Sequence, residues 1–158
     1  MKLSKEEKAY IAGFLDGDGS IHVRLKPNST YRYRFQVLPN IVFYQSEKET
    51  NHLKWLHKLI GKGYLRKRND GIVEYILGDI ESIRELVKNT LPYLKLKQRQ
   101  ARLMLEILEI KQNIKSAIDF LRLAKKIDVF QKINYSKKRI QNSLEVEKVL
   151  KRERLLAP

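Results

Sequence analysis

The chain has no cysteine, one tryptophan and three histidines among its 158 residues. Without cysteine there can be no disulfide framework, no thiol nucleophile and no thiolate zinc site. Three scattered histidines leave little material for a histidine-rich metal centre. Acidic residues are scarce as well: 18 Asp and Glu face 33 Lys and Arg, a net charge of +15. That balance excludes an acidic chaperone or a neutral housekeeping domain. It points to a polyanionic partner, either nucleic acid or an anionic membrane surface. There is no run of about 18 apolar residues, and the opening Met1-Lys2-Leu3-Ser4-Lys5 lacks an apolar signal segment. A soluble intracellular protein with no membrane partner is expected, cytoplasmic in a prokaryote or organellar. With 42% hydrophobic residues the chain can build a core, and one domain over 1–158 is expected.

What is present has a clear order. Ser4-x-x-Glu7 is a capping box, followed by Ala9, Tyr10, Ile11, Ala12, Phe14 and Leu15. A helix apolar around its circumference is expected to bury more than one side, and Asp16-Gly17-Asp18-Gly19 stops it. From Ser20 the period becomes two. Ile21, Val23 and Leu25 oppose His22, Arg24 and Lys26; after a turn at Pro27-Asn28-Ser29-Thr30, Tyr31, Tyr33, Phe35 and Val37 oppose Arg32, Arg34 and Gln36. Pro39 predicts a bulge or bend before a third strand over 41–44. A helix is expected over 47–60, a hairpin over 64–77 around Asn69-Asp70-Gly71, and a helix from the Asp79 cap to 87. Pro92 should open a longer helix carrying Leu96, Leu103, Met104, Ile107, Leu108 and Ile110. Residues 116–156 read as helical with a break around 134–136. The fold class is therefore α+β, with helices on one side of a mostly antiparallel sheet.

The sheet's other face is basic. His22, Arg24, Lys26, Arg32, Arg34, Gln36, Arg66 and Arg68 alternate along ribbons of a size that enters a DNA major groove, and only Glu74 breaks the sign. A solvated strand face is the plainer alternative. Asp16-Gly17-Asp18-Gly19 is neither an EF-hand, because Ile21 and Pro27 stand where Gly and Glu belong, nor a dinucleotide fingerprint, because His22 stands where a third Gly belongs. It reads either as a turn rich in conformationally suitable residues or as carboxylates that hold Mg²⁺ beside a phosphate.

The segment Ile11-Ala12-Gly13-Phe14-Leu15-Asp16-Gly17-Asp18-Gly19 resembles the LAGLIDADG motif of the homing endonucleases. Ser20-Ile21, Lys26-Pro27-Asn28 and Pro92-Tyr93-Leu94-Lys95-Leu96-Lys97-Gln98-Arg99-Gln100-Ala101 resemble further blocks of the single-motif members. The similarity runs from about residue 10 to about residue 139, nearly the whole chain. One motif in a chain of this length implies a homodimer. The fold so implied is a curved antiparallel sheet forming a DNA-binding saddle, with helices packed on its other face.

The resemblance also implies roles. Motif helices of two subunits would pack together through Ala12, Gly13, Leu15 and Asp16. Asp18 would be the catalytic carboxylate and a metal ligand, joined by the Gly17 carbonyl. Gln45 would orient solvent, and Lys97 would stabilise developing charge. Where members carry another basic residue early in the following helix, Glu49 stands here, with Lys48 beside it. Ser20, His22, Arg24, Lys26, Asn28, Arg32, Arg34, Gln36, Leu38, Asn40, Tyr64, Arg66, Arg68, Glu74 and Ile76 would face DNA. Lys137, Lys138 and Arg139 would contact phosphates. The implied activity is site-specific double-strand cleavage of a long, near-palindromic DNA site, one phosphodiester per strand, leaving 3′ overhangs. The cofactor would be Mg²⁺, with Mn²⁺ able to substitute and Ca²⁺ supporting binding without cleavage. An intron RNA maturase and a non-cleaving DNA-binding protein are alternatives of the same fold; intron RNA is then a further partner. A basic ribosomal or RNA-binding protein would explain the charge but not the motif.

Overall fold

The computed structural model describes residues 1–134 and 141–156. The elements run α1 (Lys5–Asp18), β1 (Gly19–Pro27), β2 (Phe35–Ser46), α2 (Thr50–Ile60), β3 (Tyr64–Lys67), β4 (Ile72–Leu77), α3 (Ile80–Thr90), α4 (Gln98–Gln112), α5 (Ala117–Ile133) and α6 (Ser143–Arg152). A 3-10 turn, Glu47–Glu49, precedes α2. The strands form one sheet in the order β1-β2-β4-β3. This is the α+β arrangement that the change of period from 3.6 to 2 predicts. Among the described residues no helix is long and apolar enough to cross a membrane.

The chain folds as two compact units interleaved in sequence, 1–21 with 39–102, and 22–38 with 103–158. In the first, α1 packs on α3, and α2 packs on β3 and β4. Its core is made by Ile11, Leu15, Phe43, Leu53, Leu56, Tyr75, Ile83 and Leu86, all fully buried. Burying each such side chain stabilises the fold by about 1.5–3 kcal/mol relative to exposure. Phe43 and Tyr75 face each other across β2 and β4, their rings stacked 6.0 Å apart. In the second unit α5 packs on α6, and Met104, Ile107, Leu123, Ile127, Phe130, Val146 and Leu150 are fully or nearly fully buried.

Four element boundaries differ from the sequence expectation. Helix α1 runs through Asp16 and Gly17 to Asp18, with Gly19 as an extended cap. Any side chain at position 19 would stand 2.6 Å from Leu15 Cδ1, so the helix-to-strand switch needs glycine there. Strand β2 begins at Phe35 instead of 31, because residues 28–34 close a longer turn with Arg34 in the left-handed region at φ 62°. Pro39 does not break β2, whose buried and half-buried residues alternate straight through it. Its pairing with β4 runs from Ile41 to Ser46, so the missing N–H of Pro39 costs no bond to that neighbour. Helix α4 starts at Gln98, well after Pro92, for a reason found at the end of α1.

Candidate functional site

The capping box at Ser4 and Glu7 fixes the start of α1, and burial of Ile11, Ala12 and Leu15 fixes which side faces inward. Tyr10, Gly13, Phe14 and Gly17 then lie along another face at helical spacing. Tyr10 is exposed, and a Cβ added at Gly13 or Gly17 would meet nothing. The helix is therefore one-sided. Ala12 and Leu15, expected at a subunit interface, are fully buried within their own chain and have no surface to offer a partner. Gly13 remains on the open face.

Asp16 is also committed internally. Its Oδ2 accepts from the backbone N–H of Lys95 (2.6 Å) and of Leu96 (3.1 Å), and its Oδ1 from that of Lys97 (2.9 Å). Three amides gathered on one carboxylate hold residues 95–97 out of helical geometry, so α4 begins only at Gln98. Leu96, expected on the inner side of that helix, is 75% exposed as a result. Burial raises the Asp16 carboxyl, but the amides of Lys95, Lys97 and Leu96 and the charge of Lys97 outweigh it and leave the group below the usual aspartate value. Asp16 is thus an anchor that fastens residues 95–97 to the end of α1.

The same anchor delivers Lys97. Its Nζ donates to the Asp16 carbonyl oxygen at 2.5 Å, one of the helix-end carbonyls that lack an intrahelical partner. Burial lowers the Lys97 ammonium below the ordinary lysine value, while the charges of Asp16 and Asp18 act to raise it. Asp18 itself is exposed at the last residue of α1. The structure therefore brings Asp18, the Gly17 main chain and Lys97 to one point. Gln45 is half-buried at the end of β2 opposite Val73, and its Oε1 accepts from the Ser46 N–H at 3.1 Å. Lys48 and Glu49 are both exposed in the 3-10 turn.

Among the described residues no group of three or more His, Asp or Glu side chains forms a metal site. The donors at the end of α1 are a carboxylate and main-chain carbonyls, hard oxygens that suit Mg²⁺ or Ca²⁺. They fit a divalent ion that completes its shell with water, substrate phosphate or a second copy of the chain.

The basic face is built on the β3–β4 hairpin. Register pairs Tyr64 with Ile76, Arg66 with Glu74, and Tyr44 of β2 with Glu74, which sets these side chains on one face. Glu74 is nearly fully buried. Arg66 Nε donates to its Oε2 at 2.6 Å, and Arg68 Nη1 lies 3.5 Å from its Oε1. Arg68 also pairs with Asp70 at 2.5 Å. Glu74, expected to face DNA, is instead a buried brace between two exposed arginines. Ile76 is 5% exposed and has almost no surface for a base, because Tyr64 and Val42 flank it in the sheet. Tyr44 was not singled out by the sequence, though its alternation with Phe43 carried the signal. Burial and then Glu74 push its hydroxyl above the usual value, with Arg68, Ser20 and Arg66 opposing.

In the second unit Arg24 and Lys26 are exposed on β1, His22 is half-buried, and Gln36 and Leu38 are half-buried on β2. Asn40, in the first unit, is half-buried too. Asn28 accepts at Oδ1 from Thr30 N–H (3.1 Å) and Oγ1 (2.7 Å), shaping the turn. Arg32 is exposed, its guanidinium 5.3 Å from the Tyr33 ring. Arg34, expected to face DNA, instead donates to Glu153 (3.0 Å) and to the Ser29 carbonyl (2.7 Å). Lys137, Lys138 and Arg139 lie outside the described residues.

A second exposed feature had no sequence signal. Tyr10, His52 and Trp55 form a surface aromatic cluster with Phe14, with the Tyr10 hydroxyl 2.5 Å from His52 Nε2.

The LAGLIDADG endonuclease family model matches residues 11–103, which span the α1 end, both hairpins and the 95–97 anchor. The chain belongs to the LAGLIDADG endonuclease family. The DNA endonuclease I-CreI of Chlamydomonas reinhardtii is 38% identical over 153 residues, covering 94% of this chain and 91% of that protein. The DNA endonuclease I-CvuI of Chlorella vulgaris is 32% identical over 144 residues, covering 91% and 89%. The crystal structure of I-CvuI in complex with its target in the presence of calcium has a TM-score of 0.92 and covers 97% of this chain and 98% of that one. In LAGLIDADG terms, the residues gathered at the end of α1 are the end of the family motif and the lysine of the later block.

Proposed function

We infer that this chain is a metal-dependent, site-specific homing endonuclease that cuts double-stranded DNA. The observation that carries the reading is the joint placement of Asp18 and Lys97 at the end of α1, fastened by the bonds of Asp16 to residues 95–97. The relatives are named DNA endonucleases, and I-CvuI has been crystallised on DNA with magnesium and with calcium. Asp18, with the Gly17 carbonyl, would hold a divalent cation, which when bound would supply charge stabilisation at the phosphate and a more acidic water. Lys97 donates toward developing negative charge, and Gln45 orients solvent. The proposed ion is Mg²⁺, replaceable by Mn²⁺, with Ca²⁺ supporting binding alone.

The active unit is a homodimer. Two copies joined at α1 would bring two Asp18 carboxylates together and cut one phosphodiester on each strand of a near-palindromic site, leaving 3′ overhangs. The open face of α1 at Gly13 and Gly17, with Tyr10 beside it, supports that contact. Arg24, Lys26, Arg32, Tyr64, Arg66 and Arg68 supply exposed side chains for base edges and phosphates, and Ser20, His22, Asn28, Gln36, Leu38 and Asn40 are half-buried. Exposure of the protein to a two-fold-symmetric duplex library tests this directly. Cleavage at a recovered sequence in Mg²⁺ but not in Ca²⁺ is expected, with a dimeric mass by light scattering. Retention without cutting in any metal would leave a binding protein, and a monomeric mass on DNA would remove the shared site.

A further inference from the structure

We propose that Glu153, at the end of α6, is a positioning residue for sequence recognition: through Arg34 it holds the β1–β2 turn in the shape that presents Tyr31 and Arg32 to DNA. The proposal rests on the endonuclease reading. Arg34 is a non-glycine residue at φ 62°, a conformation that persists only when its surroundings hold it. Four bonds do so. Its carbonyl accepts from the Asn28 N–H (2.8 Å), its backbone N–H donates to the Tyr31 carbonyl (2.8 Å), its Nη1 to the Ser29 carbonyl (2.7 Å), and its Nε to Glu153 (3.0 Å). The first three are internal to the turn and move with it. Among the described residues, Glu153 alone ties Arg34 to another element.

Glu153 is itself well placed to serve as that tie. Its N–H donates to the Val149 carbonyl at 2.9 Å, and the next residue, Arg154, turns left-handed at φ 56° to close the helix. Between the turn and α6 lies a cavity of about 560 Å³, lined among others by Ser29, Glu145 and Val149. The bridge therefore spans open space where apolar packing would otherwise do the holding. On the turn's other side Tyr33 stacks on Phe120 with ring centroids 5.0 Å apart. Held from both sides, the turn leaves Tyr31 and Arg32 exposed at its tip. The pair is partly solvated, with 43% and 28% of the two side chains exposed. Its contribution to overall stability is small for that reason, and its effect falls on the turn's conformation.

The test is binding, in Ca²⁺, of a two-fold-symmetric DNA duplex library randomised at every position, followed by sequencing of the retained fraction. Wild type, Glu153→Gln, Glu153→Asp, Arg34→Met and the double variant Glu153→Gln with Arg34→Met are compared. Glu153→Gln is expected to flatten base preference by about 3–10-fold over one contiguous block in each half-site, leaving the remaining positions within about twofold. Arg34→Met should flatten the same block, the double variant should do no more than either, and Glu153→Asp should fall between wild type and Glu153→Gln. An unchanged profile, or a uniform loss at all positions, would overturn the proposal. Additive losses with Arg34→Met confined to a single base pair would also overturn it, by making Arg34 a direct reader. If wild type enriches no duplex at all, the endonuclease reading fails and this inference with it. Enrichment by wild type with a failed Glu153 pattern removes the inference alone.

Discussion

The end of α1 and the β3–β4 hairpin handle carboxylates in opposite ways. At α1 the chain ties down one aspartate, Asp16, with three of its own amides and leaves the other, Asp18, exposed at the tip. On the hairpin it buries Glu74 in the sheet, keeps Asp70 at the turn as a partner for Arg68, and leaves the arginines that grip Glu74 58% and 45% exposed. One region presents negative oxygen, where a cation can be held against a phosphate. The other hides negative charge so that two guanidinium groups face outward in a fixed pose. What a charged residue does is thus decided by what its own chain has already bonded to it.

The largest effect should separate the two aspartates. Asp18→Asn is expected to lose about a thousandfold in cleavage, equivalent to about 4 kcal/mol of transition-state stabilisation, with DNA retention kept. Cleavage at the wild-type rate would show that Asp18 holds no essential ion. Lys97→Met should cost about 10²-fold in single-turnover cleavage with little change in affinity. An affinity loss without a rate loss would make Lys97 a phosphate-binding group only.

Asp16→Asn should act on stability more than on chemistry, by about 2–3 kcal/mol from weakened charge-assisted bonds. Because the folded Asp16 carboxyl lies below its ordinary value of 3.8, its contribution is fully present above that value. It is lost as pH falls through the lowered folded value. Urea titrations of wild type and Asp16→Asn should therefore converge once the pH has fallen below the lowered folded value and differ most above the ordinary value of 3.8. Curves separated equally at every pH would mean the ionised carboxylate is not what holds residues 95–97.

The smallest effects should come from the hairpin. Arg66→Ala is expected to relax specificity at particular base pairs by about 1–3 kcal/mol. Glu74→Gln should blur preference at the same base pairs while strengthening non-specific binding and steepening its salt dependence, since Arg66 loses its charged partner and Arg68 keeps only Asp70. Uniform weakening across sequences in both variants would reduce the hairpin to phosphate contact.

Much of this molecule was legible along the chain. Period-two alternation located β1, the Asn69-Asp70-Gly71 turn located the β3–β4 hairpin, the Ser4–Glu7 box located the start of α1, and Asp79 caps α3 through the Ser82 N–H as its position suggests. These are local effects, set by residues within one or two turns of each other. The motif residues Asp18 and Lys97 were legible too, through family resemblance. Arg34 and Leu96 were not. Alternation assigned Arg34 to an outward face, yet a partner 119 residues away at Glu153 drew it aside. Helical periodicity counted Leu96 as core, yet Asp16, 80 residues earlier, unwound the segment around it. Ala12 and Leu15 were offered to a partner because a helix apolar all round does not reveal in sequence which side its own chain will cover.

By itself the sequence determined the α+β order of elements, the excess of positive charge and the motif that carries Asp18, because pattern, composition and local capping act over short stretches of chain. Only the tertiary structure decided which carboxylate is free and which arginine is a strut, because a hydrogen bond between distant segments satisfies a group completely and leaves no trace in the residues on either side of it.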